Sequence, residues 1–336
     1  MAGVTTLLIV GLVGTGVVWA GSSALEGASG RLAKHYGLPR LVQGAILAAV
    51  GSSAPEIAST IIATVRYGDF ELGIGVIVGS AVFNILVIPA LSVLLSEGAL
   101  DTGRDVVYKE AQFYMLSVAA LFLVLALAVI YNPVEGDALR GNVTRPLALS
   151  LLALYGLYVF VQYLDVSDAD TKSITLPRRS LTIQWALLIG GVALIIAGVE
   201  GLVFAAVGLG EAFGTPSFLW GLTVVAAATS LPDALISVTA ARIDEPAVSL
   251  GNVLGSNVFD LLVAIPAGVI LAGATAVSFT AAVPMMAFLV VATIILFGFA
   301  RTGMEITDGE AVAMLALYAV FVGWLLAESV GVVNVI

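Results

Sequence analysis

Apolar runs of about 20 residues, each long enough to cross the hydrocarbon of a bilayer as a helix, follow one another almost from end to end of this chain. In lipid every backbone N–H and C=O must find a partner within the protein, so runs of this kind commit the chain to helices. Ten candidate spans emerge, at about 4–26, 39–65, 71–97, 109–131, 146–165, 182–207, 215–241, 247–273, 278–300 and 310–331. Composition supports the same reading. Of 336 residues, 60% are hydrophobic and 11% charged, with a mean hydropathy of +1.11. An average soluble domain carries roughly 25% charge. The fold class expected is therefore an all-α integral membrane protein with no sizeable soluble domain. No basic residue precedes Arg31, so the first run reads as a span and not as a cleaved leader. Cysteine is absent, which excludes disulfides and thiolate metal sites. The single histidine, His35, lies beside Arg31 and Lys34 and reads as a loop residue.

Lysine and arginine set the orientation, because cytoplasmic loops collect them. With the N-terminus outside, the inner loops hold Arg31, Lys34, Arg40, Arg104, Lys109, Lys172, Arg178, Arg179, Arg242 and Arg301. The outer loops then hold only Arg66, Arg140 and Arg145. This asymmetry predicts a multi-pass protein of the cell membrane with both termini outside. The widest polar stretch, 165–179, divides the spans five and five, giving a first repeat over 1–165, a cytoplasmic linker over 166–181 and a second repeat over 182–336.

The two halves share sequence. Residues 49–84 contain AVGSSAPEIAST and VGSAVFN, while 226–260 contain AAATSLPDALIS and LGSNVFD. Pro39 and Pro216, like Pro55 and Pro232, are 177 residues apart, whereas Phe83 and Phe259 are 176 apart. One residue has been gained or lost between the motifs. An odd number of spans per half places the copies upside-down relative to each other, a recurrent build for secondary transporters.

Most charged residues fall in loops. Inside the spans lie Glu56, Asp233 and Asp260, joined by Asn84, with Glu200 and Glu328 as secondary candidates. An ionisable group at membrane depth costs at least about 2.5 kcal/mol on insertion scales, which marks it as functional. The bland alternative is a hydrogen bond that glues helices together. Four such positions share one pattern, however. Ser52 precedes Glu56 by four residues, Ser80 precedes Asn84, Thr229 precedes Asp233 and Ser256 precedes Asp260. At this spacing each hydroxyl lies one turn from its partner on the same helix face, with Ser53 and Ser230 close to that face. Pro55 and Pro232 deprive the carbonyls of Gly51 and Ala228 of their helical donors. Oxygen-only ligands suit small hard cations, Ca²⁺ taking six to eight of them. Zinc and copper would ask for histidine or thiolate. The GxxxG pairs Gly75/Gly79 and Gly251/Gly255 need no more than close helix packing to explain them.

GSSAPE with GSAVFN, and TSLPD with GSNVFD, resemble the two α-repeats of the cation/Ca²⁺ exchanger superfamily, in particular its Na⁺/Ca²⁺ exchanger branches. The resemblance covers nearly the whole chain. It implies that Glu56 and Asp233 ligate Ca²⁺ and Na⁺ at a shared centre flanked by Asn84 and Asp260. Side-chain roles are implied for Ser52, Ser53, Ser80, Thr229, Ser230 and Ser256, and backbone carbonyl roles near Ala49 and Ala226. Aspartate at 233 and 260 is similar to the K⁺-dependent exchangers, so K⁺ coupling stays open. The expected activity is antiport of Na⁺ against Ca²⁺ by alternating access, without enzymatic chemistry, resident cofactor, nucleic acid or obligate protein partner, and with the lipid bilayer as surroundings. Coupling to H⁺ is the nearest alternative. A channel fits an inverted repeat less well, and an intramembrane serine hydrolase would need a histidine within the membrane.

Overall fold

A computed structural model describes residues 3–37, 49–96, 99–165, 176–243, 245–329 and 332. In chain order the elements are helix α1 (Val4–His35), α2 (Ala49–Ser52), α3 (Ala54–Ile61) continuing into a π-helical turn (Ile62–Arg66), and α4 (Phe70–Leu95). Strand β1 (Leu100–Asp101), α5 (Gly103–Asp105), a π-turn (Val106–Glu110), α6 (Ala111–Tyr131), β2 (Pro133–Val134), β3 (Asp137–Val143) and α7 (Arg145–Asp165) follow. After these come α8 (Arg178–Phe213), α9 (Ser217–Trp220), a π-turn (Gly221–Val225), α10 (Ala226–Thr229) and α11 (Leu231–Arg242). The chain then forms α12 (Pro246–Phe259), a π-turn (Asp260–Ala264), α13 (Ile265–Ala272), β4 (Thr275–Ser278), α14 (Phe279–Arg301), β5 (Glu305–Ile306) and α15 (Asp308–Ser329).

Among the described residues eight helices are long and apolar enough to cross a membrane, or nine when the bent pair 217–229 and 231–242 counts as one span. The start of the expected span 39–65 lies outside the described residues. The helical reading holds, but the all-α expectation needs one correction. Short antiparallel ladders join the polar ends: β1 pairs with β5, and β2, β3 and β4 form a second sheet with Arg140 opposite Ser278. Backbone groups that leave a helix need new partners, and neighbouring loops supply them. Glu71 at the start of α4 accepts from the Ser278 N–H at 2.8 Å, which ties this sheet to the centre of the fold. His35 is also corrected. It is the last residue of α1, and its Nδ1 accepts from the Leu176 N–H at 3.1 Å.

Both duplicated spans are broken at matching positions. The backbone bends at Ser53 and at Ser230, and Pro55 and Pro232 then occupy the first turn of α3 and of α11, where a missing N–H costs nothing. The second break bends its span by 45°. From the break to the next loop the first copy has thirteen residues (54–66) and the second twelve (231–242), and the following loops, 67–69 and 243–245, are equal in length. The extra residue therefore lies inside the helix. The π-helical turn at Ile62–Arg66, which α11 lacks, is where it is accommodated.

Helix α4 is the centre of the fold, apolar on all sides and buried along most of its length. Asp69 caps its first turn by accepting from the Leu72 N–H at 2.9 Å, and Ser217 at the start of α9 donates to the same carboxylate. Gly75 and Gly79 let α4 approach the second broken span. A Cβ on Gly79 would meet the Leu222 carbonyl oxygen at 2.2 Å. The packing reading of this glycine pair is sound, but it fails for the other. Among the described residues, a Cβ on Gly251 meets nothing within 4 Å, and one on Gly255 meets only the Tyr158 hydroxyl at 3.8 Å. A separate long pair, α1 and α8, packs antiparallel through glycine. A Cβ on Gly14 would lie 2.8 Å from the Gly198 carbonyl oxygen, and one on Gly21 2.8 Å from that of Gly191.

Candidate cation site

Where the two breaks face α4 and α12, the sequence-selected residues meet. Ser52, Ser53, Glu56, Ser80, Asn84, Thr229, Ser230, Asp233, Ser256 and Asp260 are all buried. Their hydrogen bonds cross between the halves. Ser52 and Ser256 hydroxyls lie 3.1 Å apart, Ser80 and Ser230 hydroxyls 2.8 Å apart, and Asn84 Nδ2 donates to Asp233 Oδ2 at 3.3 Å. Two further contacts match one another under the duplication: Ser80 to Glu56 Oε1 at 3.5 Å, and Ser256 to Asp233 Oδ1 at 3.4 Å. Reciprocally, Ser52 lies against Asp233 and Thr229 against Glu56.

This geometry corrects the expected pairing in the two broken spans, while Ser80 and Asn84 keep the one-turn spacing on the continuous α4. The breaks at Ser53 and Ser230 put Ser52 and Glu56, like Thr229 and Asp233, on different helices, so each acid takes its hydroxyls from other segments. Several of these contacts lie at or beyond the long end of ordinary hydrogen-bond distances, and such contacts leave the acceptor oxygens ready for a stronger partner. Five buried oxygens lack a partner at hydrogen-bond geometry, Ser53 Oγ, Glu56 Oε2, Asn84 Oδ1 and both oxygens of Asp260, although the Ser53 hydroxyl lies against the Asp260 carboxylate. A buried oxygen without a donor costs free energy, about 1–3 kcal/mol and more if charged. The ion pairs of the described residues lie elsewhere, at Arg66–Glu200, Lys109–Glu110 and Arg140–Glu71. A cluster of such oxygens, with no cation of the described residues paired to it, is chemically complementary to a hard metal ion.

The acids do not form a tight three-membered ring. Among the described residues no three acidic or histidine side chains are close enough to hold one ion together. A bound cation would therefore draw on one or two carboxylates and complete its shell with hydroxyl, amide and carbonyl oxygens. Ala226 is buried, and its carbonyl accepts from the Ser230 N–H at 3.0 Å and the Thr229 hydroxyl at 3.2 Å. Ala49 opens α2. Of the secondary acids, Glu200 on α8 is engaged by Arg66 at 3.1 Å and by the Tyr67 hydroxyl at 2.8 Å, and Glu328 sits at the end of α15.

Sequence reasoning missed Asn257. Its Oδ1 accepts from Asn84 at 3.0 Å and its Nδ2 donates to the Ala81 carbonyl at 3.2 Å, which fixes the orientation of Asn84. Asn257 replaces alanine of the first motif, GSAVFN against GSNVFD, and that difference was the available signal.

A profile of the sodium/calcium exchanger protein family matches residues 6–164 and 183–327. An uncharacterized membrane protein of Methanocaldococcus jannaschii is 28% identical over 94% of this chain and 97% of its own length. The sodium/calcium exchanger MaX1 of Methanosarcina acetivorans is 25% identical, with 95% and 98% covered. A solved structure of the sodium-calcium exchanger NCX_Mj, soaked with Na⁺ and Sr²⁺, superposes with a TM-score of 0.63 at 25% identity, covering 95% of this chain and 97% of that one. With both halves matched and the fold shared over almost the full length, this multi-pass membrane protein belongs to the sodium/calcium exchanger family of cation antiporters.

Proposed function

We propose that the chain exchanges Na⁺ for Ca²⁺ across the cell membrane, binding both ions in turn at the buried oxygen cluster between the two breaks. The observation that carries this reading is the set of buried oxygens on Ser53, Glu56, Asn84 and Asp260 that lack a partner at hydrogen-bond geometry, with no cation of the described residues paired to them. Ca²⁺ and Na⁺ compete for the same ligands, and a site without either ion leaves charge buried, so one ion leaves only as the other arrives. Ten spans in two inverted halves, with both termini outside, give the site access to each face in alternation. The α1–α8 pair, joined through its own glycines, slides past the core that α4 anchors.

Asp260 supplies the charge adjustment. Together with Glu56 and Asp233 it makes three negative charges, which three Na⁺ neutralise and one Ca²⁺ does not. In the Ca²⁺ state Asp260 takes a proton or holds K⁺. Uptake of ⁴⁵Ca²⁺ into Na⁺-loaded liposomes, with and without external Na⁺ and K⁺, tests the whole reading. Uptake that collapses when the Na⁺ gradient is removed supports it, and uptake driven by a pH gradient alone replaces Na⁺ with H⁺. Unaltered pH and K⁺ dependence in Asp260→Asn would remove the role given to Asp260.

A further inference from the structure

The sequence GSSAPE at 51–56 occurs almost unchanged thirty residues earlier, as GSSALE at 21–26 on α1, with Leu25 in place of Pro55. The substitution matters. Without proline α1 runs unbroken from Val4 to His35, so Ser22 and Glu26 stay one turn apart on the same face, an arrangement that the break denies to Ser52 and Glu56. Ser22 is completely buried and its hydroxyl has no partner; Glu26 Oε1 is buried and also has none. Ser29, one turn further along this face, donates to the Glu26 backbone carbonyl at 3.0 Å and gives the carboxylate nothing.

This face of α1 is not the one that packs on α8, which carries Gly14 and Gly21. It looks instead towards the first break. A Cβ built on Gly51 would lie 3.4 Å from Glu26 Cγ and 4.0 Å from Ser29 Oγ. Asp233 is the charged group that acts on Glu26. None of the ion pairs of the described residues includes Glu26. If Glu26 served only to join helices, its buried oxygen would have a donor. Two carboxylates that approach without a cation repel, and a bound ion turns that repulsion into attraction.

We propose that Ser22 and Glu26 form a forward cation site on α1, contiguous with the central oxygens, through which Na⁺ or Ca²⁺ passes to and from Asp233. The proposal rests on the exchange reading above and places one ligand of the transport path on the helix pair that moves. Its test combines equilibrium binding of ²²Na⁺ and ⁴⁵Ca²⁺ to the purified full chain with exchange in liposomes. Glu26→Gln is expected to raise the half-saturating cation concentrations about tenfold, a larger change than in the maximal rate, and Glu26→Asp to recover most of the loss. Ser22→Ala should move them the same way by roughly threefold, and it carries the test if Glu26→Gln fails to fold. Unchanged half-saturation in these variants, in a protein whose wild type binds both ions, overturns the forward site and leaves the exchange reading intact. A wild type that binds neither ion overturns both.

Discussion

Helix α4 and the α1–α8 pair solve the same problem, packing within a membrane, in opposite ways. The most apolar stretch of α4 is 89% buried within the protein, whereas those of α1 and α8 are 28% and 33% buried. Helix α4 is surrounded by α3, α9, α11, α12, α14 and α15, while α1 makes most of its contacts with α8. Apolar side chains gain little by leaving lipid for protein, so both regions rely on close backbone approach at small residues. What differs is where the approach points. In α4 it locks the two halves to each other, and in α1–α8 it locks one helix to its partner. Packing alone therefore separates a buried central helix from a peripheral pair held chiefly to itself, the pair proposed to move.

The sharpest way to break this comparison is at the scaffold's acids. Glu56→Gln and Asp233→Asn should each lower Na⁺-driven ⁴⁵Ca²⁺ uptake by about a hundredfold or more, because an amide keeps an oxygen but loses the negative charge that compensates a cation at membrane depth. Near wild-type uptake in either variant would show that the ions bind elsewhere. Glycine substitutions come next. Gly79→Val forces a side chain against the Leu222 backbone and should destabilise the detergent-solubilised protein by about 1–3 kcal/mol, read as a lower Tm. Gly14→Ala should leave Tm closer to wild type while slowing exchange several-fold, roughly 1 kcal/mol on the barrier. Equal effects of the two on Tm would erase the distinction between scaffold and movable unit.

Smaller effects refine the site. Asn257→Ala frees the Asn84 amide and should weaken Ca²⁺ half-saturation about fivefold, the worth of roughly one hydrogen bond, with Asn84→Ala at least as severe. The smallest change is expected from Arg66→Gln. Its guanidinium is 68% exposed and pairs with Glu200 on α8, an interaction worth at most about 1 kcal/mol at a surface. Exchange rates that move by more than about fivefold would promote this pair to a latch between α8 and the scaffold.

Membrane helices and family were legible because both signals are local in the chain: apolar length for the first, and the GSSAPE and TSLPD motifs for the second. The residues that converge were also legible, since proline, hydroxyl and acid recur together in both motifs. Their partners were not. Once Ser53 and Ser230 break their helices, spacing along the chain no longer says which side chains face each other. Glu26 was not legible as a site residue because the apolar run ends at it, whereas α1 continues to His35 and keeps the acid well inside the helix. Most of the strands escaped because they are only two to four residues long and pair with segments distant in sequence, as Ser278 of β4 does with Arg140.

The wide turn at Ile62–Arg66 has a consequence for how the two copies work together. It acts like a slack link in a chain, taking up the surplus residue so that Ser80 and Glu56 still meet as Ser256 and Asp233 do. A turn closed by i→i+5 bonds is rare and usually local to a functional region. The first copy thus holds Ser80 and Glu56 in register through a turn that the second copy does not have in its corresponding helix. Related halves can share an arrangement of side chains and still differ in how a helix is wound, and removing one residue between Ile62 and Arg66 should restore there the continuous α-helical winding of α11.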